Sequence, residues 1–158
     1  MNLVALDAAT RHTGVSIWSN GKIKEYLLLD YDFIQDTDDR VAQMSNAIWD
    51  LLNKYKPTVV YIEDTYCGNN PHTQTLLNRI QGVTYAWCLR YNAKFVCIKP
   101  SSWRKHIDGF PNGKGVKRDE QKKYSVKYVA KKYKIGCNDD VADAILIGEA
   151  ANQIEGGR

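Results

Sequence analysis

The stretch LVALDAATRHTGVSIW, residues 3–18, decides the fold of this 158-residue chain. Residues 3–6 form a short apolar run, which is typical of a strand buried on both faces of a sheet. The run is followed by one carboxylate, Asp7, and then by a segment of mostly small and polar residues that ends at Gly14. Burial of an unpaired carboxylate costs roughly several kcal/mol. Asp7 therefore needs a hydrogen-bond donor, a cation or a metal ion as its partner.

The patterns that follow this stretch predict a mixed sheet. Two strand patterns flank the turn Ser19-Asn20-Gly21-Lys22, a strong hairpin signal, so the first three strands form an antiparallel meander. Helical and strand patterns then alternate. We predict one α/β domain over residues 1–158, with three antiparallel and two parallel strands and with helices on both faces of the sheet. The strands are expected at 3–6, 15–18, 23–29, 58–62 and 94–98, and the main helices at 38–55, 71–91, 118–133 and 139–154.

The composition indicates a soluble globular protein. No apolar run approaches the roughly 20 residues that a membrane span requires, and the N-terminus lacks the pattern of a signal peptide. We therefore expect a cytoplasmic protein without a membrane partner. The four cysteines show no CxxC spacing, so we expect free thiols rather than disulfides or zinc ligands.

Positive charge is concentrated in one segment of the chain. Residues 94–134 contain thirteen basic and three acidic residues, whereas the remainder of the chain is net negative. A dense cationic region beside an acidic remainder predicts a surface that binds a polyanion such as nucleic acid. The simpler interpretation is a solvated basic helix.

Three further acids are placed to meet Asp7. Glu63 follows the apolar strand pattern 58–62, and Asp140 and Asp143 are three residues apart on one face of the last helix. If the alanine-rich start of that helix packs onto the sheet, four carboxylates share one cleft. Such a cluster repels itself unless divalent cations neutralise it, and oxygen ligands suit Mg²⁺ or Mn²⁺. Two such ions can support phosphodiester hydrolysis. The adjoining Asp64 and Asp139 are expected to point elsewhere.

These motifs resemble the RuvC-type Holliday junction resolvases of the RNase H-like, or retroviral integrase, superfamily. The matching features are LDAATRHTG with Asp7, VVYIE ending in Glu63, and DVADA with Asp140 and Asp143. The resemblance implies an RNase H-like fold and a homodimeric, Mg²⁺-dependent endonuclease, with Mn²⁺ able to substitute. It also implies that these four acids are the catalytic residues and metal ligands, and that the substrate is branched DNA, especially the four-way junction, nicked symmetrically. Ala8-Ala9 in place of the family's usual Pro-Gly indicates a divergent member from a bacterium or a phage-infected cell.

The resemblance also extends to DNA contacts and to the dimer. An aromatic residue beyond the strand-end Glu helps to unstack the junction in that family, and Tyr66 occupies the similar position. The family's basic residues near the penultimate helix contact DNA. For the dimer, the pattern of the helix 71–91 suggests a surplus apolar surface formed by Leu76, Ile80, Val83 and Trp87. By the same resemblance, the basic residues near the penultimate helix that are expected to contact DNA are Arg104, Lys105, Lys114, Lys117, Arg118 and Lys122.

Three other interpretations stay open on these residues. The segment DAATRHTG also resembles the phosphate loop of sugar kinases and actin-like ATPases, although those enzymes close two lobes around a nucleotide and this chain has room for one. A non-catalytic DNA-binding module could use the basic helix alone. A nuclease with broader selectivity could cut flaps, forks or other branched DNA.

Overall fold

The computed structural model of the chain describes residues 1–64, 70–113 and 115–156. The strands are β1 (Asn2–Asp7), β2 (His12–Ser19), β3 (Lys22–Asp30), β4 (Val59–Glu63) and β5 (Lys94–Ile98). The helices are α1 (Thr37–Tyr55), α2 (Pro71–Arg90), α3 (Pro100–Trp103), α4 (Arg118–Tyr133) and α5 (Asp139–Gly156), and a short 3-10 turn spans Arg104–His106.

The five strands form one mixed sheet in the order β3-β2-β1-β4-β5. β2 pairs antiparallel with β1 and β3, whereas β4 pairs parallel with β1 and β5. Asn20 and Gly21 in the β2–β3 turn have φ values of 49° and 74°, the left-handed conformations that a tight hairpin turn requires. The predicted meander and the two parallel strands are confirmed.

The two faces of the sheet carry separate apolar cores. Leu3 and Ala5 of β1 pack with residues of α5, whereas Val4 and Leu6 pack with α1 and α2. This alternation follows from the two-residue repeat of a strand. All four side chains are fully buried, so β1 is the central strand and its C-terminal end opens between two helical layers.

The predicted dimer surface on α2 is wrong for most of its residues. Leu76, Ile80 and Trp87 are 4%, 0% and 1% exposed, because they pack into the core that α1, α2 and the sheet share. The apolar pattern that suggested surplus surface is thus the inward stripe of the helix. The outward face of α2 carries Tyr85 and Leu89, which are 48% and 64% exposed.

Two expectations from composition can be compared with the structure. Cys88, Cys97 and Cys137 are free thiols, as predicted, and Cys67 lies outside the described residues. Among the helices that the structure describes, none combines the length and the apolar character needed to cross a membrane.

Candidate active site

Four carboxylates from three parts of the chain line one cleft. Asp7 ends β1 and Glu63 ends β4, and these two parallel strands are neighbours in the sheet. The same ends of parallel strands meet at one edge, so both side chains reach the same place. Asp140 and Asp143 come from the first turns of α5. All four line a cleft of about 340 Å³, as the sequence predicted.

Gly14 allows α5 to reach this edge of the sheet. Gly14 pairs with Asp7 across the β1–β2 ladder, and a Cβ atom at Gly14 would meet the Asp140 carbonyl oxygen at 1.9 Å. Only glycine permits so close an approach of two backbones. Asn138 caps the helix through a 3.0 Å bond from the Val141 amide to its side-chain oxygen, as expected of this residue type.

Buried alanines and a hydroxyl bond hold the rest of α5 against β2. Ala142 and Ala144 are fully buried, and the Ser16 hydroxyl donates to the Ala144 carbonyl oxygen at 2.7 Å. A Cβ atom at Gly148 would lie 2.1 Å from Trp18 Nε1. Small residues at these positions therefore bring the helix close enough to the sheet to present its acids to Asp7 and Glu63.

Burial, and then the proximity of other acids, raises the proton affinity of the four carboxylates. Burial raises the pKa of Asp7 well above its ordinary value, and the charges of Glu63, Asp143 and Asp140 raise it further. Burial is also the largest cause of the higher pKa values of Glu63, about 7, and Asp143, about 6. The pKa of Asp140 is raised mainly by burial and then by the charge of Asp139. The site thus holds more negative charge than its surroundings compensate.

The donor set fits a hard divalent cation. The Asp143 Oδ1 atom is buried and has no hydrogen-bond partner, and leaving such an acceptor unsatisfied costs about 1–3 kcal/mol. Within 1–64, 70–113 and 115–156, no three Asp, Glu, His or Cys side chains are already gathered around a single ion position. Mg²⁺ is commonly held by one or two carboxylates, with water and substrate phosphate as its other ligands, so the cleft suits this ion without a complete protein cage.

Three of the predicted cations line the same cleft. Arg104, Arg118 and Lys122 lie along its wall. The Arg104 guanidinium lies 5.1 Å from the Trp103 ring centroid and 5.4 Å from that of Phe110, contacts that favour a cation over an aromatic face. Lys122 forms an ion pair with Asp139. Cations and carboxylates therefore share one pocket, as a site for a phosphodiester and its metal ions requires.

The remaining predicted site residues fall elsewhere. Lys105 and Lys117 are exposed and do not line the cleft. Tyr66 and Lys114 lie outside the described residues. Asp139 forms an ion pair with Lys122, which is compatible with the expectation that it points away from the four acids. The same expectation for Asp64 is wrong, because Asp64 lines the cleft. It follows Glu63 just beyond the end of β4, where strict strand alternation no longer applies.

Two neighbours of the acids were missed by sequence reasoning. Trp103, in α3, donates its indole N–H to Glu63 Oε2 at 2.6 Å. Ser125, buried in α4, donates its hydroxyl hydrogen to the Gln121 carbonyl oxygen at 3.2 Å, and its proximity to Asp143 partly offsets the rise that burial causes in the pKa of that carboxyl. A tryptophan most often indicates core packing, and a serine in a basic helix has no distinctive pattern. Only the fold brings them to the acids.

The sheet order, with acids at the ends of two neighbouring parallel strands, is that of the RNase H-like fold, which confirms the predicted fold class. Two solved structures share this fold. Thermus thermophilus RuvC in complex with Holliday junction substrate has a TM-score of 0.76 and 12% sequence identity, and the match covers 99% of this chain and 96% of that one. The yeast mitochondrial Holliday junction resolvase has a TM-score of 0.57 and 16% sequence identity, and the match covers 94% of this chain and 76% of that one.

Sequence comparison places the chain within a family. It is 24% identical over 139 residues to Rickettsia typhi RuvC, covering 88% of this chain and 82% of the relative. It is 25% identical over 152 residues to Caldicellulosiruptor saccharolyticus RuvC, covering 93% and 89%. The sequence model of the family described as crossover junction endodeoxyribonuclease RuvC matches residues 3–150. The chain belongs to this family of metal-dependent endonucleases, which favours the nuclease interpretation over the ATPase one.

Proposed function

We propose that this chain resolves four-way DNA junctions by paired symmetric phosphodiester hydrolysis, with Asp7, Glu63, Asp140 and Asp143 as the catalytic metal ligands. The observation that carries the proposal is the convergence of these four acids on one cleft whose wall also contains Arg104, Arg118 and Lys122. Acids alone would suit only a cation. Acids beside cations suit a metal ion together with the phosphate it acts on.

Mg²⁺ is the proposed metal, with Mn²⁺ able to replace it. Both ions prefer carboxylate, carbonyl and water oxygens, and the four carboxylates supply ligands of that kind. The chemistry that such ions supply when bound is activation of water and stabilisation of the leaving oxygen. The chain's own residues would hold the ions at the edge of the sheet, where Asp7 and Asp143 are half-buried.

The cations divide into an inner and an outer group for DNA. Arg104, Arg118 and Lys122 lie where the phosphates nearest the acids would be held. Lys105 and Lys117, which are exposed outside the cleft, would contact phosphates farther along the strand. Lys114 in the same segment and Tyr66, proposed to unstack the junction centre, complete the set by resemblance to the family.

A homodimer is part of the proposal because symmetric cutting of a four-way junction needs two active sites and the described chain has one such cleft. The outward face of α2 is the proposed interface. Tyr85 and Leu89 lie one helical turn apart on that face, and both are large and exposed. Leu89→Lys should shift the protein from dimer to monomer in sedimentation experiments. A monomer at high wild-type concentration in low salt would contradict the dimer.

The reaction is tested in two stages with a labelled four-way junction. The wild-type protein is first incubated with the junction in EDTA, where binding alone is expected. Mg²⁺ is then added, and paired symmetric nicks are expected. Asp7→Asn and Asp143→Asn should reduce cleavage by roughly 10³-fold or more, because each removes a charged ligand worth several kcal/mol in the transition state. Both variants should retain junction binding.

The matched control is Asp50→Asn, which makes the same change on the exposed surface of α1 and should cut at the wild-type rate. Either cleft variant cutting at that rate would remove its residue from the mechanism. Equal cleavage of flaps and forks would indicate the broader branched-DNA nuclease. Binding in EDTA without cleavage in Mg²⁺ or Mn²⁺ would indicate the non-catalytic module.

A further inference from the structure

We propose that Trp103 is a positioning residue for Glu63: its indole N–H holds one carboxylate oxygen so that the carboxylate presents its other oxygen to a divalent cation. The inference rests on the proposed function, because it assumes that Glu63 is a metal ligand. Trp103 itself would touch neither metal nor DNA. It would set how well the cleft binds metal, through a hydrogen bond to the ligand.

The geometry of the contact is that of a fixed, charge-assisted hydrogen bond. Trp103 Nε1 lies 2.6 Å from Glu63 Oε2, at the short end for a nitrogen donor. The Trp103 side chain is 0% exposed, so water does not compete for the bond. The indole N–H is a donor only and carries no charge. It can therefore orient the carboxylate without displacing a cation from it.

Packing holds the indole in place. The Phe110 ring meets Trp103 edge to face, with centroids 5.3 Å apart, and the Arg104 guanidinium lies over the Trp103 ring. The backbone amide of Trp103 also bonds to the Lys99 carbonyl oxygen at 3.2 Å. One short turn thus fixes both a donor to the proposed metal ligand and a cation of the cleft wall.

The acceptor distinguishes Trp103 from the other buried tryptophans. A buried indole usually finds a hydrogen-bond partner, and Trp18 and Trp87 find neutral ones, the Ser16 hydroxyl at 2.9 Å and the Asn53 side-chain oxygen at 2.9 Å. Trp103 instead bonds to a carboxylate that lines the cleft. Simple satisfaction of the indole does not require an acidic partner at the one place where acids converge.

The expected effect is on metal affinity. Hydrogen bonds to ligating groups typically contribute 10- to 100-fold in metal affinity or activity. Trp103→Phe keeps an aromatic ring against Phe110 and Arg104 but removes the donor. We expect it to weaken Mn²⁺ binding by about 10- to 100-fold, measured without DNA from the electron paramagnetic resonance signal of free Mn²⁺.

Trp87→Phe is the matched control. Trp87 is as buried as Trp103, at 1% exposed, and the substitution removes an indole bond of the same kind, but on the α1–α2 side of the sheet. It should lower stability while leaving Mn²⁺ affinity unchanged. Wild-type Mn²⁺ affinity in Trp103→Phe, or an equal loss of affinity in Trp87→Phe, would overturn the inference.

Cleavage provides a second, separable readout. In Trp103→Phe the metal concentration for half-maximal cleavage should rise, whereas the rate at saturating metal and the junction affinity in EDTA should stay close to wild type. If the wild-type protein cuts in the presence of metal and Trp103→Phe needs the same metal concentration, the positioning role alone is overturned. A wild-type protein that neither binds metal nor cuts overturns the proposed function and this inference together.

A measurement on the wild-type protein covers the case in which Trp103→Phe does not fold. The chain has four tryptophans, so ¹⁵N-labelled indoles give four N–H signals, and Phe substitutions at Trp18, Trp49 and Trp87 identify the Trp103 signal by elimination. Mg²⁺ titration should shift the Trp103 signal, with the buried Trp18 and Trp87 signals nearly unchanged. Mg²⁺ binding without a Trp103 shift would overturn the inference.

Discussion

Gly14 of β2 lies directly against the backbone of Asp140: a Cβ atom on Gly14 would stand 1.9 Å from the Asp140 carbonyl oxygen and 2.4 Å from its carbonyl carbon. Gly14 is also the ladder partner of Asp7. The absence of one side chain therefore sets how closely α5, which carries Asp140 and Asp143, approaches β1, which carries Asp7.

Gly14→Ala should separate α5 from the sheet. Because the obstacle is backbone, which cannot rotate away, the helix start must move, and overpacking of this kind costs about 1–3 kcal/mol. We expect lower stability in urea unfolding and weaker Mn²⁺ binding. Gly82→Ala is the control, since a Cβ atom there meets nothing within 4 Å in helix α2; it should raise stability by about 0.5–1 kcal/mol. Unchanged metal binding in Gly14→Ala would contradict this account.

The metal-free protein should lose stability as the pH rises. The folded pKa values of Glu63, about 7, and Asp143, about 6, exceed the unfolded values of about 4. The folded chain thus binds more protons between about pH 4 and pH 7, and its unfolding free energy falls across that window by roughly 2–5 kcal/mol. Urea unfolding in EDTA at pH 5 and pH 8 measures the difference.

Saturating Mg²⁺ is the control for the pH effect. A cation bound by the ionised carboxylates stabilises their charged form and so offsets the effect of burial on their pKa values. The loss of stability between pH 5 and pH 8 should therefore shrink. Asp7→Asn should also raise the stability of the metal-free protein at pH 8, since it removes a buried charge. Equal unfolding free energies at both pH values in EDTA would contradict the electrostatic description of the cleft.

Glu149 should be important for the attachment of the basic helix. This carboxylate, 6% exposed, accepts bonds from Tyr128, Lys132 and Tyr133 of α4 at 3.0, 2.6 and 2.7 Å. Glu149→Gln weakens three charge-assisted bonds, so we expect a loss of about 1.5–3 kcal/mol in unfolding free energy. The exposed Glu25, which pairs with Lys54, is the comparison, and Glu25→Gln should cost less than about 1 kcal/mol. Equal losses would count against the network.

Arg118 should contribute one phosphate contact. Junction affinity in EDTA should fall with salt, and the slope of log affinity against log salt changes by about 0.9 for each phosphate contact removed. We therefore expect Arg118→Ala to flatten the slope by about one contact. Lys24→Ala removes the same charge from an exposed position in β3 and should leave the slope unchanged. A steep slope that is identical in both variants would place the phosphates elsewhere.

Much of the fold could be predicted because its signals are local. The Asn20-Gly21 turn, Pro71 in the first turn of α2, the Asn138 cap and the apolar repeats each depend on residues near one another in the chain. The convergence of the four acids could be predicted for a related reason: Asp7 and Glu63 end neighbouring apolar strands, and Asp140 and Asp143 share a helix face beside small residues. Each of these patterns indicates the strand end or the helix face on which a carboxylate lies.

The incorrect and the missed predictions both concern contacts between segments that are distant in the sequence. The apolar stripe with Leu76, Ile80 and Trp87 suggests a dimer surface when only the sequence is considered. Periodicity shows that a helix face is apolar but does not show what covers that face. In the fold, α1 and the sheet cover that face. The Trp103–Glu63 bond joins residues 40 apart in sequence, and no pattern in the SSWR segment indicates an acidic acceptor.

The cleft draws its acids from positions 7, 63, 140 and 143, so it is complete only when the chain has been made through residue 143. A growing chain that has emerged from the ribosome only as far as residue 139 lacks two of the four carboxylates, whatever part of the sheet has already formed. On the proposed function, a fragment that ends before residue 140 would therefore be unable to cut DNA, because two of the proposed metal ligands would be missing.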